Sequence, residues 1–150
     1  MELSSKQKII NAILTLIQYL GFAIYLYISP WKAEGLLLQI VELLGLILAV
    51  WALVEMRKSK INIAPQPREN ATLVTSGPYA IIRHPMYTSI IIAVTPLIIS
   101  HWNIYHFSFL MFLYLNLIFK LLFEESLLKV YFKDYSNYMK KSWRIIPGIF

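Results

Sequence analysis

The chain has 150 residues, of which 58% are hydrophobic and only 15% are charged, and its mean hydropathy is +0.59. Because this composition is more apolar than that of soluble domains, it favours a single integral membrane domain. The sequence contains no cysteine, which excludes disulfides and thiolate chemistry. The net charge of +6 is accounted for by membrane topology, so it gives no reason to expect a nucleic acid partner.

Four apolar runs, taken in chain order, predict four membrane-spanning helices. They are Ile9 to Ile28, Gly35 to Val54, Thr88 to Ser100 and Phe107 to Phe123. The first two approach the ~20 residues needed to cross a bilayer. The third is short and contains Pro96, so it is either re-entrant or lengthened by Met86 and Tyr87.

The expected fold is therefore an all-α, polytopic membrane bundle whose last two helices form a hairpin joined by residues 101–106. Within this one domain, residues 1–54 form the two N-terminal spans. Residues 55–150 carry the long polar segments and hence the expected site.

The basic residues are distributed unequally between the two sides of this topology. On the side of the termini and the long loop lie Lys6, Lys8, Arg57, Lys58, Lys60, Arg68, Arg83, Lys129, Lys133, Lys140, Lys141 and Arg144. The opposite side has only Lys32. By the positive-inside rule, we expect a multi-pass protein with both termini and the site on the cytoplasmic side of the membrane. The basic residues on that side are also expected to contact membrane lipids.

The loop before the third span has recognisable local signals. Thr75 to Pro78 is typical of a turn, and Pro85 suits the first turn of a helix because its missing N–H costs nothing there. His84 would then lie at a helix N-terminus, which favours an anion. Further on, Leu127 to Lys141 predicts one or two short amphipathic helices, and Ile63 to Glu69 an extended connector.

Three polar residues share one face of the fourth span. Asn116, Lys120 and Glu124 are spaced by four, and Lys120 and Glu124 are able to pair. Ionisable residues at membrane depth often face a cavity and mark function. The alternative is that both side chains reach the cytoplasmic interface. The spacing of His101 and His106 is not that of a metal site, so we expect no metal.

Two blocks of sequence carry a family resemblance. The first contains Leu73 to Tyr79 (LVTSGPY) and Arg83 to Tyr87 (RHPMY); the second contains Glu124-Glu125, followed by Tyr135, Tyr138 and Pro147. The chain resembles the isoprenylcysteine carboxyl methyltransferase family of membrane enzymes, whose wider group includes phospholipid N-methyltransferases. The resemblance extends from about Asn62 to Pro147.

This resemblance implies S-adenosylmethionine as methyl donor and S-adenosylhomocysteine as product. The donor-binding residues that it implies are Ala71, Thr72, Leu73, Val74, Tyr79, His84, Pro85, Met86, Tyr87 and Glu124. We expect catalytic roles for Lys120, Arg83 and Glu124. Lys120 stands where the family has an arginine that contacts a substrate carboxylate; lysine keeps the charge but loses the bidentate fork. A second departure is that the segment from Phe132 to Tyr135 is one residue shorter than in the family.

Three functional hypotheses follow. In the first, the acceptor is the carboxylate of a prenylated cysteine or a similar lipid-linked acid that enters from the bilayer. In the second, the acceptor is the amine of a phospholipid headgroup, so His84 or a glutamate has to take up a proton. In the third, the chain is an inactive membrane scaffold of the same fold. The sequence has no GxGxxG motif, which excludes a soluble dinucleotide-type methyltransferase fold.

Overall fold

The computed structural model describes residues 5–28, 31–58 and 72–150. Five α-helices follow in chain order: α1 (Ser5–Ile28), α2 (Leu36–Arg57), α3 (Pro85–Ser100), α4 (Ile104–Tyr131) and α5 (Tyr135–Met139). A short 3₁₀ helix, Gly77–Ala80, precedes α3. In these ranges the β-structure consists of an isolated parallel bridge between Ile82 and Trp143. The all-α prediction is therefore confirmed.

Two of these helices, α2 and α4, are long and apolar enough to cross a membrane. In α1 and α3 the apolar stretches are shorter, Ala12–Tyr25 and Pro85–Ser100. The four-span topology and its orientation therefore remain predictions. The predicted connector at Ile63 to Glu69 lies outside the described residues.

The boundaries of α4 differ from the prediction at both ends. The helix begins at Ile104, three residues earlier than expected, because the Asn103 side chain accepts the N–H of His106 at 3.0 Å and so caps the first turn. It continues to Tyr131, so the first part of the helical tail predicted from Leu127 to Lys141 belongs to α4, and α5 is a separate short helix within the rest. Both Glu124 and Glu125 consequently lie on a long, regular helix.

The closest helix packing joins α2 and α3. A Cβ atom built on Gly45 of α2 would lie 2.7 Å from the backbone nitrogen of Ala93 in α3, so glycine is required for this approach of the two backbones. On the other side, α3 and α4 enclose an apolar core that includes Ile98, Leu117 and Leu121, each 0% exposed. This packing fixes α3 and α4 relative to each other.

Much of the remaining helix surface is apolar and exposed. On α2, Leu37, Leu46 and Val50 are all more than half exposed, and on α1 the same is true of Leu16 and Leu20. Water-soluble proteins rarely expose apolar patches of this extent. Such a surface is suited to lipid, in agreement with the membrane character inferred from the composition.

Candidate active site

The site begins with the turn before α3. Gly77 has a φ of +57°, a conformation that glycine adopts without strain, and Pro78 fixes the first turn of the 3₁₀ helix. The Ser76 hydroxyl donates a hydrogen bond to the buried Glu55 carboxylate of α2. These features anchor the turn to α2 and bury the ring of Tyr79, which is 5% exposed.

The C-terminal segment is hydrogen-bonded to the residues that follow this turn. The Trp143 N–H donates to the Ile81 carbonyl at 2.9 Å, and the N–H groups of Arg83 and His84 donate to the carbonyls of Trp143 and Arg144 at 2.7 and 3.0 Å. The Thr88 hydroxyl donates to the Ile145 carbonyl at 2.9 Å. The tail thereby fixes the backbone of His84.

His84 and Tyr87 form a stacked pair at the start of α3. The helix begins at Pro85, as predicted, and His84 is its N-cap residue. The rings of His84 and Tyr87 are parallel within 1° and their centroids are 5.3 Å apart. Both residues are buried, being 7% and 8% exposed. The pair therefore presents a fixed aromatic wall.

Glu124 lies beside this pair. One carboxylate oxygen, Oε2, is 3.8 Å from Nδ1 of His84, and the carboxylate accepts a hydrogen bond from the Tyr87 hydroxyl. The Glu124 side chain is 13% exposed. Glu124, from the second sequence block, is thus brought beside His84 and Tyr87 of the first block.

Glu125 has a different environment. Its carboxylate accepts hydrogen bonds from Nε of Arg83 at 2.8 Å and from Nε of Arg144 at 3.1 Å, and it lies 3.6 Å from Nε2 of His84. The side chain is 3% exposed. Glu125, on α4, therefore connects the residues just before α3 with the tail, a role that the sequence did not reveal for either Glu125 or Arg144.

Arg83 is held mainly by structural contacts. Besides Glu125, its guanidinium donates to the carbonyl of Met139 at 3.1 Å and to that of Ser142, and its side chain is 7% exposed. The catalytic role predicted for Arg83 remains a prediction. The contacts described here instead position the neighbouring His84.

Lys120 lies one helical turn before Glu124, on the same face of α4. Its ammonium donates to the Gln18 side chain of α1 at 3.2 Å and lies 5.6 Å from the centre of the Tyr87 ring. The residue is 8% exposed. Lys120 thus faces the bundle interior beside the site.

Some buried polar atoms of the site have no hydrogen-bond partner among the described residues. They include the Tyr79 hydroxyl, Nε2 of His84 and the Asn116 side-chain oxygen. Burial, with smaller effects of Tyr138 and Glu124, raises the pKa of Tyr79, so its hydroxyl keeps its proton. Buried polar groups are normally hydrogen-bonded. The Tyr79 hydroxyl is therefore available to a ligand.

Tyr138 supports Tyr79 from the tail. Its hydroxyl donates to the Tyr79 carbonyl at 2.6 Å, and burial raises the pKa of Tyr138 to about 12. Because the phenol remains protonated at ordinary pH, this hydrogen bond persists. The second sequence block thus supports the first through the backbone.

The remaining predicted donor-binding residues have fewer described contacts. Ala71 lies outside the described residues. Thr72, Leu73 and Val74 form irregular chain, with Thr72 exposed and the other two half-buried. Pro85 is buried and Met86 is half-buried in the first turn of α3. Across the described ranges, no three His, Cys, Asp or Glu side chains come together as a metal site would require.

Comparison with known proteins identifies the family of the chain. The family model described as phospholipid methyltransferase matches residues 31–135, which include Tyr79, His84, Tyr87, Lys120 and Glu124. No curated protein matches the chain. The matched region is more than two thirds of the sequence. The chain therefore belongs to the phospholipid methyltransferase family, a family of membrane methyltransferases that includes the isoprenylcysteine carboxyl methyltransferases.

Proposed function

We propose that the protein transfers a methyl group from S-adenosylmethionine to the carboxylate of a lipophilic acceptor, such as a prenylated cysteine. One observation carries the proposal: Tyr79, His84, Tyr87 and Glu124 meet in a buried cluster, and the Tyr79 hydroxyl has no hydrogen-bond partner within the described residues. An aromatic wall, a carboxylate and an available hydroxyl together suit a cationic, hydrogen-bonding ligand.

The residues fit the chemical groups of this donor. Glu124 suits the ammonium or the ribose hydroxyls, and the Tyr87 and His84 rings offer a face to adenine or to the sulfonium, where a cation over a ring gains ~0.5–2 kcal/mol. The hydroxyl of Tyr79 adds a hydrogen-bond donor. When bound, S-adenosylmethionine supplies an electrophilic methyl group.

The protein's own contribution is positioning. Methyl transfer to a carboxylate is an in-line displacement and needs no general base, so catalysis rests on proximity, orientation and exclusion of water. Burial of His84 and Tyr87 excludes water from one side. The hydrogen bond from Arg83 to Glu125 holds the backbone next to His84 in place.

Lys120 supports an anionic acceptor. An ammonium has three N–H donors, and only the bond to Gln18 is made within the described part of the chain. A carboxylate brought in from the bilayer would use a second donor and would be oriented beside Glu124. Lysine would hold it as a point charge, without the paired hydrogen bonds of an arginine.

An amine acceptor is the second candidate, because the matching family model is described as phospholipid methyltransferase. A protonated amine has no lone pair to attack with, so a residue has to accept its proton. Glu124 and His84, which lie 3.8 Å apart, are our candidates for that step. A phosphatidylethanolamine headgroup is the corresponding acceptor.

Donor binding is tested by calorimetric titration of the detergent-purified protein with S-adenosylhomocysteine. We expect binding to the wild type that weakens about 10- to 100-fold in Glu124→Gln, since a hydrogen bond to a charged group is lost. Glu34→Gln is the matched control, because the Glu34 side chain is 78% exposed. Failure of a folded wild-type protein to bind would favour the inactive scaffold.

The acceptor is identified with S-adenosylmethionine that carries a radiolabelled methyl group. A prenylated cysteine and phosphatidylethanolamine are supplied separately in mixed micelles. A carboxyl methyl ester releases methanol in base, whereas an N-methyl group does not. A base-labile product from the prenylated cysteine would support the carboxylate as acceptor. A base-stable product formed from the phospholipid alone would instead identify the headgroup amine as the acceptor.

A further inference from the structure

A cavity lies beside the candidate active site. It has a volume of about 360 Å³ and opens between Arg83 and the C-terminal segment 139–150. Four basic side chains contribute to its lining: Arg83, Lys140, Lys141 and Arg144. The only carboxylate that contacts these arginines within the described residues is that of Glu125. The side chains around the cavity thus have an excess of three positive charges.

Part of this charge is available to a ligand. Arg144 uses Nε for Glu125, while its two terminal nitrogens make no hydrogen bond to a described residue. Its guanidinium is fixed over the Phe150 ring, 4.9 Å from the ring centre. Lys140 and Lys141 are exposed, and neither has a carboxylate within ion-pair distance in the ranges described. An oxyanion in the cavity would meet three such donors.

The rim of the cavity is apolar. Trp143 is 46% exposed and Ile149 is 78% exposed, and both line the opening. Exposed apolar side chains interleaved with lysine and arginine are typical of segments that lie in the headgroup region of a bilayer. The segment also follows closely after α4, one of the two helices able to cross a membrane.

We propose that this cavity binds the phosphate of an anionic phospholipid headgroup, with Lys140, Lys141 and Arg144 as the oxyanion ligands. The lipid's acyl chains would leave past Trp143 and Ile149 into the bilayer. Apart from Arg83, the cavity is formed by residues beyond the family match, which ends at residue 135. The site does not depend on the proposed methyl transfer.

The test is native mass spectrometry of the full chain in detergent, titrated with phosphatidylglycerol and, separately, with phosphatidylcholine. We expect tighter binding of phosphatidylglycerol to the wild type. The double variant Lys140→Gln/Lys141→Gln should weaken that binding about 25-fold, since each basic residue near a lipid surface contributes about fivefold. The matched control is Lys129→Gln/Lys133→Gln, which removes two exposed lysines that do not line the cavity.

Three outcomes would overturn the proposal. Equal affinity of the wild type for the two lipids would show that the cavity does not select an anionic headgroup. An equal loss in the two double variants would mean that net charge, and not the cavity, determines binding. Displacement of phosphatidylglycerol by equimolar inorganic phosphate would assign the cavity to a free phosphate instead of a lipid.

Discussion

The adjacent residues Glu124 and Glu125 provide a sharp test, because the same substitution should impair stability at Glu125 and donor binding at Glu124. Glu125 is 3% exposed and accepts hydrogen bonds from Arg83 and Arg144. Breaking a buried ion pair by removing one partner costs about 3–5 kcal/mol. Glu124 contacts no arginine in the described ranges. Glutamine also keeps an oxygen that can accept the Tyr87 hydroxyl, so the replacement should change the free energy of unfolding by only about 1 kcal/mol.

The measurement combines thermal unfolding in detergent with binding of S-adenosylhomocysteine. Glu125→Gln should lower the melting temperature by on the order of 10 °C, given about 2–4 °C per kcal/mol for a chain of this size. Glu124→Gln should melt near the wild type but lose donor binding. The reverse pattern, with an unstable Glu124→Gln and a stable Glu125→Gln that no longer binds the donor, would refute the assignment of the two roles.

Three further predictions concern single residues. Tyr79→Phe should leave stability unchanged or slightly raised, because a buried hydroxyl without a partner is removed, and should weaken S-adenosylhomocysteine binding about two- to tenfold; calorimetry and thermal unfolding check both. Gly77→Ala should lower the free energy of unfolding by about 1–2 kcal/mol, since a φ of +57° is strained for a residue with a side chain. Unfolding in denaturant measures this change, and an unchanged midpoint would contradict the conformation described for the turn. Lys120→Ala should lower kcat more than donor affinity, and Lys120→Arg should retain kcat; equal loss of kcat in both would contradict a charge-based role.

The local signals in the sequence predicted much of the scaffold. The start of α3 at Pro85 and the turn at Gly77-Pro78 both follow from backbone restrictions that one or two residues impose. The helices also followed from apolar runs. The early start of α4 was missed because the signal lay in one side chain, that of Asn103, which accepts the His106 N–H and caps the first turn.

The contacts that complete the site were not predictable in the same way. The distinction between Glu124 and Glu125 depends on which side of α4 faces the tail, and neighbouring positions on a helix point about 100° apart. Arg144 reaches Glu125 only because the tail folds back over α3. No spacing in the sequence encodes that return, so Glu125 remained without a role.

The tail also explains how a family match can end at residue 135 while contacts that support the candidate site come from residues further along the chain. Arg83 and His84 are held by carbonyls of Trp143 and Arg144, and backbone carbonyls are supplied by any residue type. A pattern of side chains therefore need not extend to residues 142–145 for these bonds to form. The backbone of His84 is nevertheless held by them, because its own N–H and that of Arg83 are the two donors. The contacts that support the candidate site accordingly extend beyond the matched region. We expect removal of the tail to release the His84 backbone even though every predicted donor-binding side chain stays in the chain.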